Sequence, residues 1–210
     1  MKRYLAWLLT AFLVLSTGLF AAYDPFAPKN QVTLWLEGNA RKLDAARSLI
    51  SQAGFSAVTG EIRGKALITN YQHLTEEQIS AIDAYLKSGG KLILLGTRNF
   101  GTEAFLGTQP VGGDLSYLEI HEASYQGPKV LSIPKSASPV SIVAYSDGEV
   151  LAEYLAADGV TRSHIPQLNA AVLKTSWGLY SGFDWFDGAF LDVPGYRQLF
   201  VLWLRKTVWN

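Results

Sequence analysis

The residues that could do chemistry in this chain are few and widely spaced. Cysteine is absent, which removes thiol nucleophiles, cysteine metal sites and disulfides together. His73, His121 and His164 are the only histidines, and Glu122 or Asp184 could join them in a zinc shell. Their separations follow no local ligand pattern such as His-Glu-x-x-His, so the sequence predicts scattered histidines, no metal and no cofactor. Glu37 and Asp184 both lie near strand ends and could act together as a general acid and base. Arg98, within Thr97-Arg98-Asn99, could hold a carboxylate or phosphate with its planar fork, or pair locally with Glu103. His73 closes the stretch Asn70-Tyr71-Gln72-His73, which reads either as a ligand loop at a strand end or as turn chemistry before a helix. The run GTRNFG lacks the spacing of a phosphate-binding loop. Trp177, Tyr180, Phe183, Trp185, Phe186 and Phe190 invite a sugar-stacking reading. Strand alternation puts Tyr180 and Phe183 on opposite faces, so most of this cluster is expected in the core. Trp185 and Phe186, beyond the strand end, are the expected exposed pair.

These residues need elements to position them. The stretch from Lys65 to Asn99 reads as strand, capped helix, glycine stop and second strand. Thr75 and Gln78 form a capping box, Leu74 and Ile79 a hydrophobic staple, and Ile79, Ile82 and Leu86 an apolar face. Lys87 suits the negative helix end, and Gly89-Gly90 supplies a left-handed stop. The flanking runs ALIT and KLILLG are continuous and apolar, as in strands buried on both faces. Upstream, VTLWL at 32–36 predicts a strand, Asn39 a helix cap, and Leu43, Ala46, Ile50 and Ala53 a stripe ended by Gly54. FSAV at 55–58 predicts a further strand. The alternation implies an open, mostly parallel sheet with helices on both faces. KVLSI, VSIVAY and EVLAEYLA predict a β-rich insertion or sheet extension over 102–176. The chain should close with a helix capped by Asp192, with Pro194 in its first turn and Tyr196, Leu199, Phe200, Trp203 and Leu204 on one face.

Two segments, ITNYQHLTEEQISAIDAYLKSGGKLILLGTRNF and GLYSGFDWFDG, together resemble the class I glutamine amidotransferase-like superfamily. The terminal DVPGYRQLFVLWLRK is similar to the helix that follows its late strand. The likeness covers roughly residues 31–100 and 168–207 and implies a flavodoxin-like α/β fold. It also implies a cysteine at the turn Gly96-Thr97-Arg98, and none is there. Phe183 matches the phenylalanine of the family's Phe-His-Pro-Glu motif, so Asp184 stands at the histidine, Trp185 at the proline and Phe186 at the glutamate. With all three catalytic roles vacant, the resemblance implies a noncatalytic member. Its nearest echoes are β-galactosidase trimerisation domains, trehalose-utilisation-type domains and membrane-tethered amidotransferase-like domains. The candidate ligand-binding residues are therefore Glu37, Asn70, His73, Thr97, Arg98, Asp184 and Trp185, with none catalytic.

Balanced charge, eighteen basic and eighteen acidic residues, gives no field favouring nucleic acid. Lys2 and Arg3 precede an uncharged apolar run at 5–23, either a secretory signal or an uncleaved anchor. Leu19 or Phe20 would occupy a cleavage position that prefers a small residue, so an inner-membrane anchor is favoured over secretion. The positive-inside rule then places the chain in a bacterial-type periplasm, with 24–30 as linker and 31–210 as the folded domain. Expected partners are the membrane, through 5–23, and an envelope protein or glycan, with an oligomer allowed. A carboxylate-dependent hydrolase acting on a glycan or amide is the alternative.

Overall fold

The structure, a computed structural model, describes residues 30–96, 110–111, 115–136, 141–142, 148–160 and 170–209. Expectations for residues 1–29, including the anchor, lie outside the described residues. Among the described residues no helix is long and apolar enough to cross a membrane.

The first half alternates strand and helix as its periodicity requires. It runs β1 (Gln31–Trp35), α1 (Ala40–Gln52), β2 (Ser56–Thr59), β3 (Ala66–Thr69), α2 (Glu76–Lys87) and β4 (Lys91–Leu95). Asn39 caps α1 by accepting from the Lys42 amide, and Thr75 and Gln78 form the expected reciprocal capping box on α2. β3 is buried along its whole length, which explains its unbroken apolar sequence. The second half continues with β5 (Pro110–Val111), β6 (Tyr117–Ile120), β7 (Val130–Ser132), β8 (Ser141–Ile142), β9 (Glu149–Leu155), β10 (Ala170–Lys174) and β11 (Gly178–Ser181). A short helix α3 (Gly188–Leu191) and the long α4 (Tyr196–Trp209) close the chain.

All these strands join one open sheet with the path β2-β1-β3-β4-β11-β10-β9-β6-β7, while β5 and β8 pair beside it. From β2 to β11 the neighbours are parallel, and from β11 onward along that path they are antiparallel. The β-rich middle therefore extends the sheet. Helices cover both faces of the sheet. Ala46, Leu49 and Ile50 of α1 share one core with Phe200, Trp203 and Leu204 of α4, whereas Ile82 of α2 packs with Leu67, Leu92 and Tyr180 on the other.

β11 joins the two halves at close quarters. Gly178 has φ +152°, and a Cβ there would fall 1.9 Å from the Leu92 carbonyl oxygen on β4, so glycine is required for the strands to meet. The terminal helix begins later than expected. Asp192 ends α3 and α4 starts at Tyr196, its first turn closed by the Leu199 amide donating to the Gly195 carbonyl. Pro194 lies in the turn between them, a position in which its missing N–H costs nothing. Arg205 donates to the Gln52 and Ala53 carbonyls, so α4 satisfies the orphan acceptors at the end of α1.

Lys206 ties α4 to the extension, donating to Glu149 at 2.7 Å and lying 3.3 Å from Glu122. Burial of Glu122 disfavours its charge, but two hydrogen bonds from Ser124 and the Lys206 ammonium outweigh that and hold its carboxyl below the ordinary value. Burial likewise works against Lys206, and its Glu149 and Glu122 partners raise it nonetheless. A lowered Glu122 stabilises the fold above the ordinary carboxylate pKa, and that contribution disappears as pH falls through the folded value. A raised Lys206 contributes below the ordinary lysine value and loses it as pH rises through the folded one. Lys206→Met should therefore lower unfolding free energy at neutral pH, and the gap to wild type should shrink below about pH 4. Urea titrations across pH check this; a gap that stays constant into acid contradicts it.

Candidate functional site

The parallel order brings the carboxyl ends of β1 and β3 side by side, where the chain leaves toward α1 on one face and α2 on the other. In an open α/β sheet such a divergence opens a crevice. Asn70 sits at its base and is 5% exposed. Its side-chain oxygen accepts from the Glu37 amide at 2.7 Å, and its side-chain nitrogen donates to the Glu37 carbonyl at 3.0 Å. That nitrogen also donates to Asp184 Oδ2 at 2.8 Å, linking the ends of β1, β3 and β11 through one side chain.

Asp184 collects the rest. Lys42 Nζ donates to Oδ2 at 2.9 Å, and the Phe186 amide donates to Oδ1 at 2.9 Å. A carboxylate offers about four lone-pair directions, so three donors leave little capacity for a substrate proton. Gly96, at the end of β4, completes the floor. Its φ is +62°, and a Cβ would stand 3.1 Å from the Asp184 amide nitrogen, so any side chain here would meet both a strained backbone and a tight contact. Gln72 Nε2 bridges the Asn70 and Gly96 carbonyls at 3.2 Å each.

The charge pattern of α1 explains why Asp184 is needed. Its first turn contains no acidic residue, and Arg41 and Lys42 place cations at the positive end of the helix dipole. Asp184 supplies the missing carboxylate from the far side of the chain. Beside it lies a cleft of about 430 Å³, where Arg41, Lys42 and Arg197 face Asp187 and Asp192. On the other flank, half-buried Trp35 and Tyr71 stack with ring centroids 6.3 Å apart and planes 17° from parallel. Trp35 is fixed by its Nε1–H, which donates to the Gly60 carbonyl at 2.7 Å.

Of the residues singled out from sequence, Glu37, Asn70 and Asp184 are brought together, although Glu37 joins through its backbone. His73 is exposed ahead of α2 and shares no hydrogen bond with them. Thr97 and Arg98 lie outside the described residues, as does His164. Trp185 and Phe186 are not an exposed pair. Both are buried, at 0% and 1%, and Trp185 stacks on Phe200 of α4 at 5.3 Å with the planes 5° apart. The stacking surface comes from α4, which wraps back over the loop and takes Trp185 away from any ligand. Lys42, Trp35 and Tyr71 were missed. A lysine in the first turn of a capped helix without acids was the readable sign that a carboxylate must come from elsewhere.

No family model matches the chain, and no curated protein matches it by sequence. Solved structures do share its fold. The α-L-fucosidase isoenzyme 2 from Paenibacillus thiaminolyticus superposes with a TM-score of 0.64 at 15% identity, over 85% of this chain and 32% of that one. The exo-β-1,4-mannosidase Op5Man5 from Opitutaceae bacterium strain TAV5 gives 0.55 at 12% identity, over 82% of this chain and 35% of that one. The chain thus spans about a third of each enzyme.

The network ranks its own members. Asn70→Ala removes three part-buried hydrogen bonds and should cost about 2–3 kcal/mol in unfolding free energy. Lys42→Met breaks a pair whose side chains are 26% and 17% exposed and should cost under about 1 kcal/mol. Denaturant titration of the two variants checks the order, and a larger loss for Lys42→Met would contradict it.

Proposed function

We propose that this chain is a noncatalytic binding module of the amidotransferase-like superfamily, displayed in the cell envelope, and that its crevice takes a glycan. The observation carrying this reading is the occupation of Asp184 by Lys42, Asn70 and the Phe186 amide. A carboxylate engaged in this way is a strut, and it stands where the superfamily resemblance places a catalytic histidine. The strand order β2-β1-β3-β4-β11, parallel throughout, supports a flavodoxin-like reading of this half of the sheet. The stacked, half-buried Trp35 and Tyr71 beside the crevice supply an aromatic wall, which suits a sugar's apolar face. Occurrence of the fold within about a third of a fucosidase and of a mannosidase fits an accessory role beside a separate catalytic part.

Full-length protein screened on an array of envelope glycans should bind a restricted set without turnover. Tyr71→Ala and Trp35→Ala should each weaken binding roughly tenfold, the worth of about 1–2 kcal/mol of aromatic contact. Binding unchanged in both variants would remove the glycan reading. Capture of one envelope protein with no glycan bound would move the assignment to a protein partner. Hydrolysis of a glycan or amide that disappears in Glu37→Gln and in Asp184→Asn would establish the carboxylate-dependent hydrolase instead.

The envelope location rests on Lys2, Arg3 and the uncharged run at 5–23. A reporter fused after Asn210 should be active only outside the cytoplasm, with Met1 retained if the segment is an anchor. Activity confined to the cytoplasm would rule the location out.

A further inference from the structure

A second constellation lies in the antiparallel extension, on β9 and β6, two and three strands along the sheet from β11. Glu119 on β6 stands directly opposite Glu153 on β9 in the strand register. His121 follows two residues after Glu119, and its amide continues the ladder by donating to the Leu151 carbonyl. Alternation along β6 puts Glu119 and His121 on one face, opposite Leu118 and Ile120, which point into the core with Tyr154 and Ala152. Three donor side chains from two strands therefore converge on one patch of sheet.

Their spacing is informative. His121 Nε2 lies 3.8 Å from Glu119 Oε2 and 3.7 Å from Glu153 Oε2, and one ligand atom from each residue falls within 4.8 Å of the others. These separations exceed a hydrogen bond. They approach the spacing of roughly 3.3 Å between donors around a tetrahedral ion bound at about 2.0–2.1 Å. The surroundings are favourable, since Glu153 Oε2 is closed off from solvent while His121 lies at the surface as the point of entry.

We propose that Glu119, His121 and Glu153 form a binding site for a divalent transition cation, with Zn²⁺ the best match to one imidazole and two carboxylates. Neutral imidazole and carboxylate oxygens suit zinc, and three protein ligands leave a fourth position for water. The ion would clamp β6 to β9, the two strands that carry the sheet outward from β10. The site shares no residue with the crevice at Asn70 and Asp184, so it stands whether or not that crevice binds a glycan.

Titration of metal-free, full-length protein with zinc chloride against a chromophoric chelator tests the site. One equivalent should bind saturably and raise the melting temperature by mass action. His121→Ala, and separately the near-isosteric Glu119→Gln and Glu153→Gln, should each weaken binding roughly tenfold or more. His73→Ala, which alters the exposed histidine before α2, should bind as wild type does. Circular dichroism of each variant without metal separates loss of ligand from loss of fold, and the two glutamine variants keep the test open if His121→Ala fails to fold. No saturable binding by the wild type, or undiminished binding in the glutamine variants, would overturn the proposal.

Discussion

The structure depends on a single strand meeting its neighbour at backbone distance. β11 lies parallel to β4 and antiparallel to β10, so it joins a βαβ half to a meandering half. The contact is possible because Gly178 has no side chain where the Leu92 carbonyl passes. The consequences run outward from that seam. Once β11 is in register, its exit places Asp184 over Gly96 and within reach of Asn70, while the chain beyond it must fold back as α3 and α4. The aromatic sequence of that return, Phe183, Trp185, Phe190, Tyr196, Phe200 and Trp203, then packs as one ring cluster on the face already covered by α1. Core and crevice are two results of the same pairing.

Charge organises the crevice more than shape does. The first turn of α1 carries Arg41 and Lys42 where a helix favours acids, and left alone that would fray the helix start. Asp184 corrects the imbalance from 142 residues away. Asn70 adds direction to the correction. By accepting from Glu37 N–H and donating to both the Glu37 carbonyl and Asp184, it fixes the β1 turn relative to the β11 loop. A crevice floor built from a neutral amide and a satisfied ion pair is stiff and polar. Those properties leave the floor little capacity for proton transfer, because each donor and acceptor is already directed.

Local signals were readable from the sequence, and long-range ones were not. The capping box of Thr75 and Gln78, the Asn39 cap and the buried runs of β3 and β4 are written in residues within a few positions of each other, and they appear as expected. The sheet extension was also legible, from β-branched runs that lack helical spacing. Burial of Trp185 was not, because the surface that covers it is α4, whose packing depends on the whole sheet. Asp192 misled for a related reason. An aspartate before a proline suits a helix start, yet the preceding Gly188–Leu191 turn claims it as a terminus, and α4 begins three residues later than Asp192-Val193-Pro194 suggests. Asn70 and Asp184 were nameable as strand-end residues, whereas their shared hydrogen bond required knowing that β3 and β11 flank β4.

The same limit explains why His121 looked isolated. In sequence its neighbours are Ile120 and Glu122, and Glu122 turns away to Ser124 and Lys206. The carboxylates that do approach it are Glu119, two residues back, and Glu153, placed by register on another strand. Antiparallel pairing sets such contacts by a count of residues from the nearest fixed pair, and one slip would move Glu153 to the opposite face. That register is fixed on the core side, where Leu118 faces Tyr154 and Ile120 faces Ala152, all four buried in one cluster. Hydrophobic packing on one face of β6 and β9 therefore determines the polar chemistry on the other. The core beneath β6 and β9 is what holds the two glutamates opposite each other on one patch of sheet.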